Sequence, residues 1–102
     1  MTDSFEFHFE WDTAKATSNR RKHGVGFDLA ALVFRDPLMV SILDEEHSGT
    51  DERWITLGQA ENNKLLVVIH TYREISANAA TVRIISARPA TKQEQRQYEA
   101  EV

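Results

Sequence analysis

The stretch KLLVVIHTYRE, Lys64 to Glu74, constrains the fold more than any other part of the chain. Leu65 to Ile69 is an unbroken apolar run of strand length. A strand apolar on both faces belongs in the middle of a sheet, with other strands beside it. Its second half alternates, with His70 and Tyr72 on one face and Thr71 and Arg73 on the other. The same strand therefore leads from core-forming side chains to residues capable of chemistry.

Partners for this strand are visible on both sides of it. SFEFHFE, Ser4 to Glu10, alternates aromatic and polar residues, as a half-buried strand does. LMVSILD (38–44), ERWITLGQ (52–59) and TVRIISAR (81–88) read as further strands, with AENN and ISANAA as turns or loops around the central one. Helices are expected over 13–23, 26–34 and 92–101. Asp12 and Gly24 serve as N-cap and C-terminal glycine of the first. Phe27, Ala30, Ala31 and Phe34 recur at helical spacing in the second, and Asp36-Pro37 ends it. Thr91 and Glu94 form a capping box before the third. The order β-α-α-β-β-β-β-α predicts an α+β fold: a four- to five-stranded, mainly antiparallel sheet, with two N-terminal helices and a C-terminal helix on one face. A chain of 102 residues predicts one domain spanning 1–102.

Charge is unevenly distributed. The formal net charge is −4, which argues mildly against a nucleic-acid partner. Yet residues 13–35 carry Lys15, Arg20, Arg21, Lys22 and Arg35 against Asp28 alone, whereas residues 36–52 carry six acids and no lysine or arginine. A local positive field can survive on an acidic chain with its bases blocked in this way. The absence of cysteine excludes disulfides and thiolate metal sites and favours a reducing cytoplasm. No apolar secretory region or membrane-length apolar run is expected.

The first helix poses a problem. TAKATSNRRKH has no apolar face, and helices this short are marginal alone. Trp11 and Phe27, just outside its ends, are the expected anchors. Lys15, Asn19, Lys22 and His23 fall on one stripe, which is either a solvated face or one wall of a phosphate site.

The segments FEWDTAKATSNRRKHGVGF, VFRDP, HTYR, RIISAR and ATKQEQRQYE resemble the BrnT toxin family, from about Phe7 to Glu99. The spacings W-D-x-x-K-x-x-x-N-x-x-K-H-G-V and R-I-I-S-A-R-x-A-T-x-x-E-x-x-x-Y are both long and specific. The resemblance implies a RelE-like fold and a ribonuclease toxin of a bacterial type II toxin–antitoxin pair. It also implies a BrnA-type ribbon-helix-helix antitoxin, a hetero-oligomer with it, and contact with operator DNA only through that antitoxin. RelE-like ribonucleases tend to be basic, so the acidic balance is a departure.

RNA supplies its own nucleophile, the 2′-OH. Cleavage then requires a base, an acid and cations around the phosphate, with no cofactor and no metal. Catalytic candidates are His70, Arg83, Arg88, Tyr98 and His23. Candidates for RNA phosphate binding are Lys15, Asn19, Lys22 and Arg73. His70 and His23 are set against structural roles as a strand-end hydrogen-bonder and a helix cap. Arg83 and Arg88 bracket IISA, and alternation places them on opposite faces unless a bulge intervenes. The alternative for Arg88 is an ion pair with Glu94. Tyr98, whose inclusion rests partly on the C-terminal active-site tyrosine of several RelE-like enzymes, is set against a ring packed on the sheet. Asp44, Glu45, Glu46, His47 and Asp51 read as a solvated loop rather than a metal site. The expected activity is metal-independent mRNA cleavage that inhibits translation. The rival is a non-catalytic antitoxin-binding module that acts as co-repressor of its operon. A DNA-binder in its own right is disfavoured, since no helix-turn-helix is evident.

Overall fold

The computed structural model describes residues 5–61 and 63–101. Ser4, at the start of the first expected strand, and Asn62 of the AENN turn lie outside them. Five strands form one sheet in the order β1-β5-β4-β3-β2, where β1 is Glu6–Glu10, β2 Val40–Leu43, β3 Glu52–Gln59, β4 Leu65–Ser76 and β5 Ala79–Pro89. The apolar run thus lies in the central strand, β4. Helices α1 (Thr13–His23), α2 (Phe27–Ala31) and α3 (Lys92–Glu101) complete the fold.

Two features go beyond or against the sequence expectation. The sheet is mainly antiparallel, as expected, and its one parallel pairing among the described residues is β1 with β5, Phe7 beside Ala80 and Phe9 beside Val82. Alternation identifies a strand but carries no information about a partner some 70 residues away. The helices also do not share a face. α2 and the residues around it cover one face, where Val25, Phe27, Ala30, Val33 and Phe34 pack on Leu66, Val68, Val82, Ile84 and Ala87. α3 lies against the other, beside Ile55, Leu57 and Val67.

The local signals work as read. The Asp12 carboxylate accepts from the Lys15 amide at 3.1 Å, and Gly24, at φ 72°, returns its N–H to the Arg20 carbonyl at 2.8 Å. Thr91 and Glu94 close the capping box reciprocally, at 2.8 and 3.2 Å. The second helix tightens into a 3₁₀ turn over Leu32–Arg35. Val33 is fully buried there against Gly58 of β3, where a Cβ would lie 2.7 Å from the valine methyl. Only glycine permits this approach of turn to strand.

Candidate nucleic-acid interface

Strand β5 carries one residue too many for its partner. Ile69 pairs with Ser86 and His70 with Ile84, which leaves Ile85 as a bulge. That extra residue resets the alternation. Arg83, beside Thr71, and Arg88, beside Val67, emerge on the same face, the one opposite α2. Arg73 of β4, beside Thr81, shares it. So does Arg53 of β3, whose partner is again Thr71. An arginine-bearing platform results, with Arg53, Thr71, Arg83 and Glu10 forming one cross-strand row.

The arginines are held to different degrees. Arg88 grips Glu94 through two contacts of 2.8 Å, and this hydrogen-bonded pairing holds the Glu94 carboxyl down at about 2. Arg83 lies 3.5 Å from Glu10 and Arg73 lies 3.2 Å from Asp51, both in exposed pairs that cost little to exchange for another anion. Arg53 has no carboxylate partner among the described residues.

Helix α1 docks on the edge of β5 through a polar side chain. Asn19 is buried, and its amide donates to the carbonyls of Val25 (3.0 Å) and Ala87 (2.8 Å). Its oxygen accepts from the Ala87 N–H (3.1 Å) and the Ser86 hydroxyl (3.3 Å). β1 stops at the level of Arg83, and Asn19 takes over as a substitute strand for the exposed edge beyond it. Trp11 meets Phe27 edge to face at 6.0 Å, as the anchors were expected to. This is how a helix without an apolar stripe stays on the fold. It also corrects the expectation for Asn19, whose hydrogen-bonding capacity is spent inside the protein. Its neighbours on the stripe remain outward. Lys15, Lys22 and His23 rim a cleft of about 180 Å³ whose floor includes Ile85 and Ser86, the bulge itself.

His70 and Tyr98 are not brought to this place. His70 lies on the α2 side of the sheet, 2% exposed, with its ring 4.8 Å from Phe34. The Thr71 carbonyl, 3.0 Å from Nδ1, can only accept, so Nδ1 carries the proton. Nε2 then accepts from the Thr56 hydroxyl at 2.6 Å, and Thr56 accepts from Ser41 at 2.7 Å. Burial pushes the imidazole below its ordinary value against the opposing pull of the Thr71 carbonyl, so it is held neutral. Tyr98 donates to Asp36 at 2.5 Å. Burial and this carboxylate push its phenol up to about 12. Burial alone would raise Asp36, but hydrogen bonds from Tyr98, Gln59 and Leu38 outweigh it and lower the carboxyl. The pair ties α3 to β3 and to the turn before β2. The expected convergence of His70 and Tyr98 with the cations on one phosphate is therefore not what the fold delivers. His70 faces the core on the α2 side, and the Tyr98 hydroxyl is spent on Asp36.

The family model for "ribonuclease toxin, BrnT, of type II toxin-antitoxin system" matches residues 11–94. The chain belongs to the BrnT toxin family. The crystal structure of the Brucella abortus ribonuclease toxin BrnT shares its fold, with a TM-score of 0.56 at 20% identity over 85% of this chain and 100% of that one. No curated protein matches the chain.

In this BrnT family member the residue that sequence reading missed is Arg53. Its strand was legible, but its place beside Thr71 and in line with Arg83 depends on register across three strands. The acidic loop between β2 and β3 is self-satisfied in part: Asp44 caps a short 3₁₀ turn and contacts the His47 ring at 2.9 Å, and Asp51 holds Arg73. Among the described residues, no helix is long and apolar enough to cross a membrane.

Proposed function

We propose that this chain is a metal-independent endoribonuclease that cuts single-stranded mRNA in the bacterial cytoplasm and so inhibits translation, until a BrnA-type ribbon-helix-helix antitoxin neutralises it. The observation that carries the reading is the Ile85 bulge, which brings Arg83 and Arg88 onto the face that also carries Arg53 and Arg73, and which itself lines the Lys15–Lys22–His23 cleft. A phosphodiester lying along β5 would meet cations from two directions.

In the proposed step a base removes the 2′-OH proton, the 2′-oxygen bonds to phosphorus, and the bond to the 5′-oxygen breaks as that oxygen takes a proton. The products are a 2′,3′-cyclic phosphate and a 5′-hydroxyl. Arg83, Lys15 and Lys22 offset the charge that builds on the phosphoryl oxygens. His23 is the imidazole beside these cations and takes the acid–base role, worth roughly 10²–10⁴-fold. His70 and Tyr98 hold the framework. The test is digestion of a defined single-stranded RNA with excess EDTA, followed by end analysis. Cyclic phosphate ends, and protection by a single 2′-deoxy substitution at the cut site, are expected. Cleavage that appears only with a divalent metal, or equal cutting of DNA, overturns the mechanism.

One observation favours the rival reading. Arg83 and Arg88 both already hold carboxylates, and the two most reactive-looking side chains, His70 and Tyr98, are spent internally. A non-catalytic module that binds antitoxin and tunes operator repression would need no more. Growth arrest on expression that His23→Ala and Arg83→Ala abolish, with antitoxin binding kept, separates the enzyme from the module.

A further inference from the structure

The platform does not end at the arginines. On the same face, β2 and β3 present Val40, Ile42, Ile55 and Leu57 beside the buried Val67 of β4, and α3 lies alongside, leaving Val40, Ile55 and Leu57 partly covered and Ile42 exposed. The groove between helix and sheet measures about 310 Å³. Its floor is apolar, and Ile42, on an edge strand, is 63% exposed. Exposed aliphatic side chains in a row on an edge strand attract a partner.

The register says what kind. One alternation beyond Ile55 on β3 is Arg53, and beyond Ile69 on β4 come Thr71 and Arg73, with Arg83 across on β5. The apolar groove therefore opens directly onto cations. We infer that the antitoxin seats an apolar segment in this groove and continues with carboxylates across Arg53, Arg73 and Arg83. Charge complementarity selects such a segment, because Arg53 has no carboxylate partner among the described residues and the ion pairs of Arg73 and Arg83 are exposed and exchangeable. Neutralisation follows from position: the antitoxin's carboxylates occupy the places proposed for RNA phosphates. The inhibitory part of this inference rests on the proposed RNA site; the docking part does not.

The test uses the full chain and its cognate purified antitoxin, titrated calorimetrically without RNA. RNA cleavage by the same samples is measured separately without antitoxin. Ile42→Glu, at an exposed position outside the RNA site, is expected to weaken antitoxin binding roughly 10- to 100-fold, as loss of a central anchor does, and to leave cleavage unchanged. Arg53→Glu is expected to weaken antitoxin binding as well. Unchanged affinity of Ile42→Glu overturns the groove as the docking site. Unchanged or tighter binding by Arg53→Glu overturns the carboxylate assignment and points to a basic segment. A chain that is dimeric alone in sedimentation, with Ile42→Glu breaking the dimer but sparing antitoxin affinity, gives the groove to a second copy and overturns the inference. If the wild type cuts no RNA but Ile42→Glu and Arg53→Glu still lose antitoxin, the docking surface stands and the ribonuclease reading falls.

Discussion

At the scale of single residues, the polar side chains with most apparent chemistry turn out to hold the fold. Asn19 satisfies both backbone groups of Ala87 and the Val25 carbonyl. Asn19→Ala leaves those groups buried and unpaired, which predicts a loss of about 2–4 kcal/mol of stability in urea unfolding. A phosphate ligand would behave oppositely, with RNA affinity lost and stability kept. His70 makes a second case. Its folded pKa lies below the ordinary 6.5, so protonation favours the unfolded chain. The stability gained from keeping it neutral is intact above about pH 6.5 and is lost as pH falls through the folded value. Melting temperature measured between about pH 7.5 and 5 should therefore drop more steeply for wild type than for His70→Gln, which cannot titrate. Parallel curves would remove His70 from the acid response.

Elements divide by whether their signals are local. The bounds of α1, β3 and α3 were legible, because Asp12, Gly24 and the Thr91–Glu94 box act within one turn of the residues they cap. The parallel partner of β1, the face chosen by α3 and the bulge at Ile85 were not. Each depends on contacts between distant segments, and a bulge is one uncompensated residue with no composition of its own. The candidate site inherits this split. Lys15, Lys22 and His23 could be placed on one stripe from helical spacing, whereas the arginine row needed the register of four strands. Glu94 shows how one residue serves two elements, since it caps α3 and pairs with Arg88. Its carboxyl is depressed to about 2 from 4.5, so this stability is present above about pH 4.5 and is lost as pH falls toward 2. With the Arg88 side chain 37% exposed, solvent screening reduces the contribution to about 1 kcal/mol. Glu94→Gln should show that loss in chemical unfolding at neutral pH, and the difference from wild type should shrink as acid is added.

For the whole molecule the question is how a chain of net charge −4 holds a polyanion. Blocking of charge is the physical answer. Six acids lie within residues 36–52, chiefly in the β2–β3 loop; of these Asp51 pairs with Arg73 of the platform, and Glu10 pairs with Arg83, while the α1 cleft gathers lysine and histidine. At physiological ionic strength charges more than about 8 Å apart on the surface are largely screened, so RNA at the proposed site would respond to the local face rather than to the net charge. Binding of a single-stranded RNA should then weaken with salt by about 0.7 in log K per log salt for each phosphate neutralised. Arg53→Ala, Arg83→Ala and Lys22→Ala should each lower that slope by about this amount. Glu45→Gln and Glu46→Gln, which remove acid from the exposed loop, should leave it unchanged. Fluorescence anisotropy over a salt series measures all five. A slope that shifts with the glutamate variants as much as with the arginines would mean that the molecule's total charge governs RNA contact, and the platform would lose its claim to be the site.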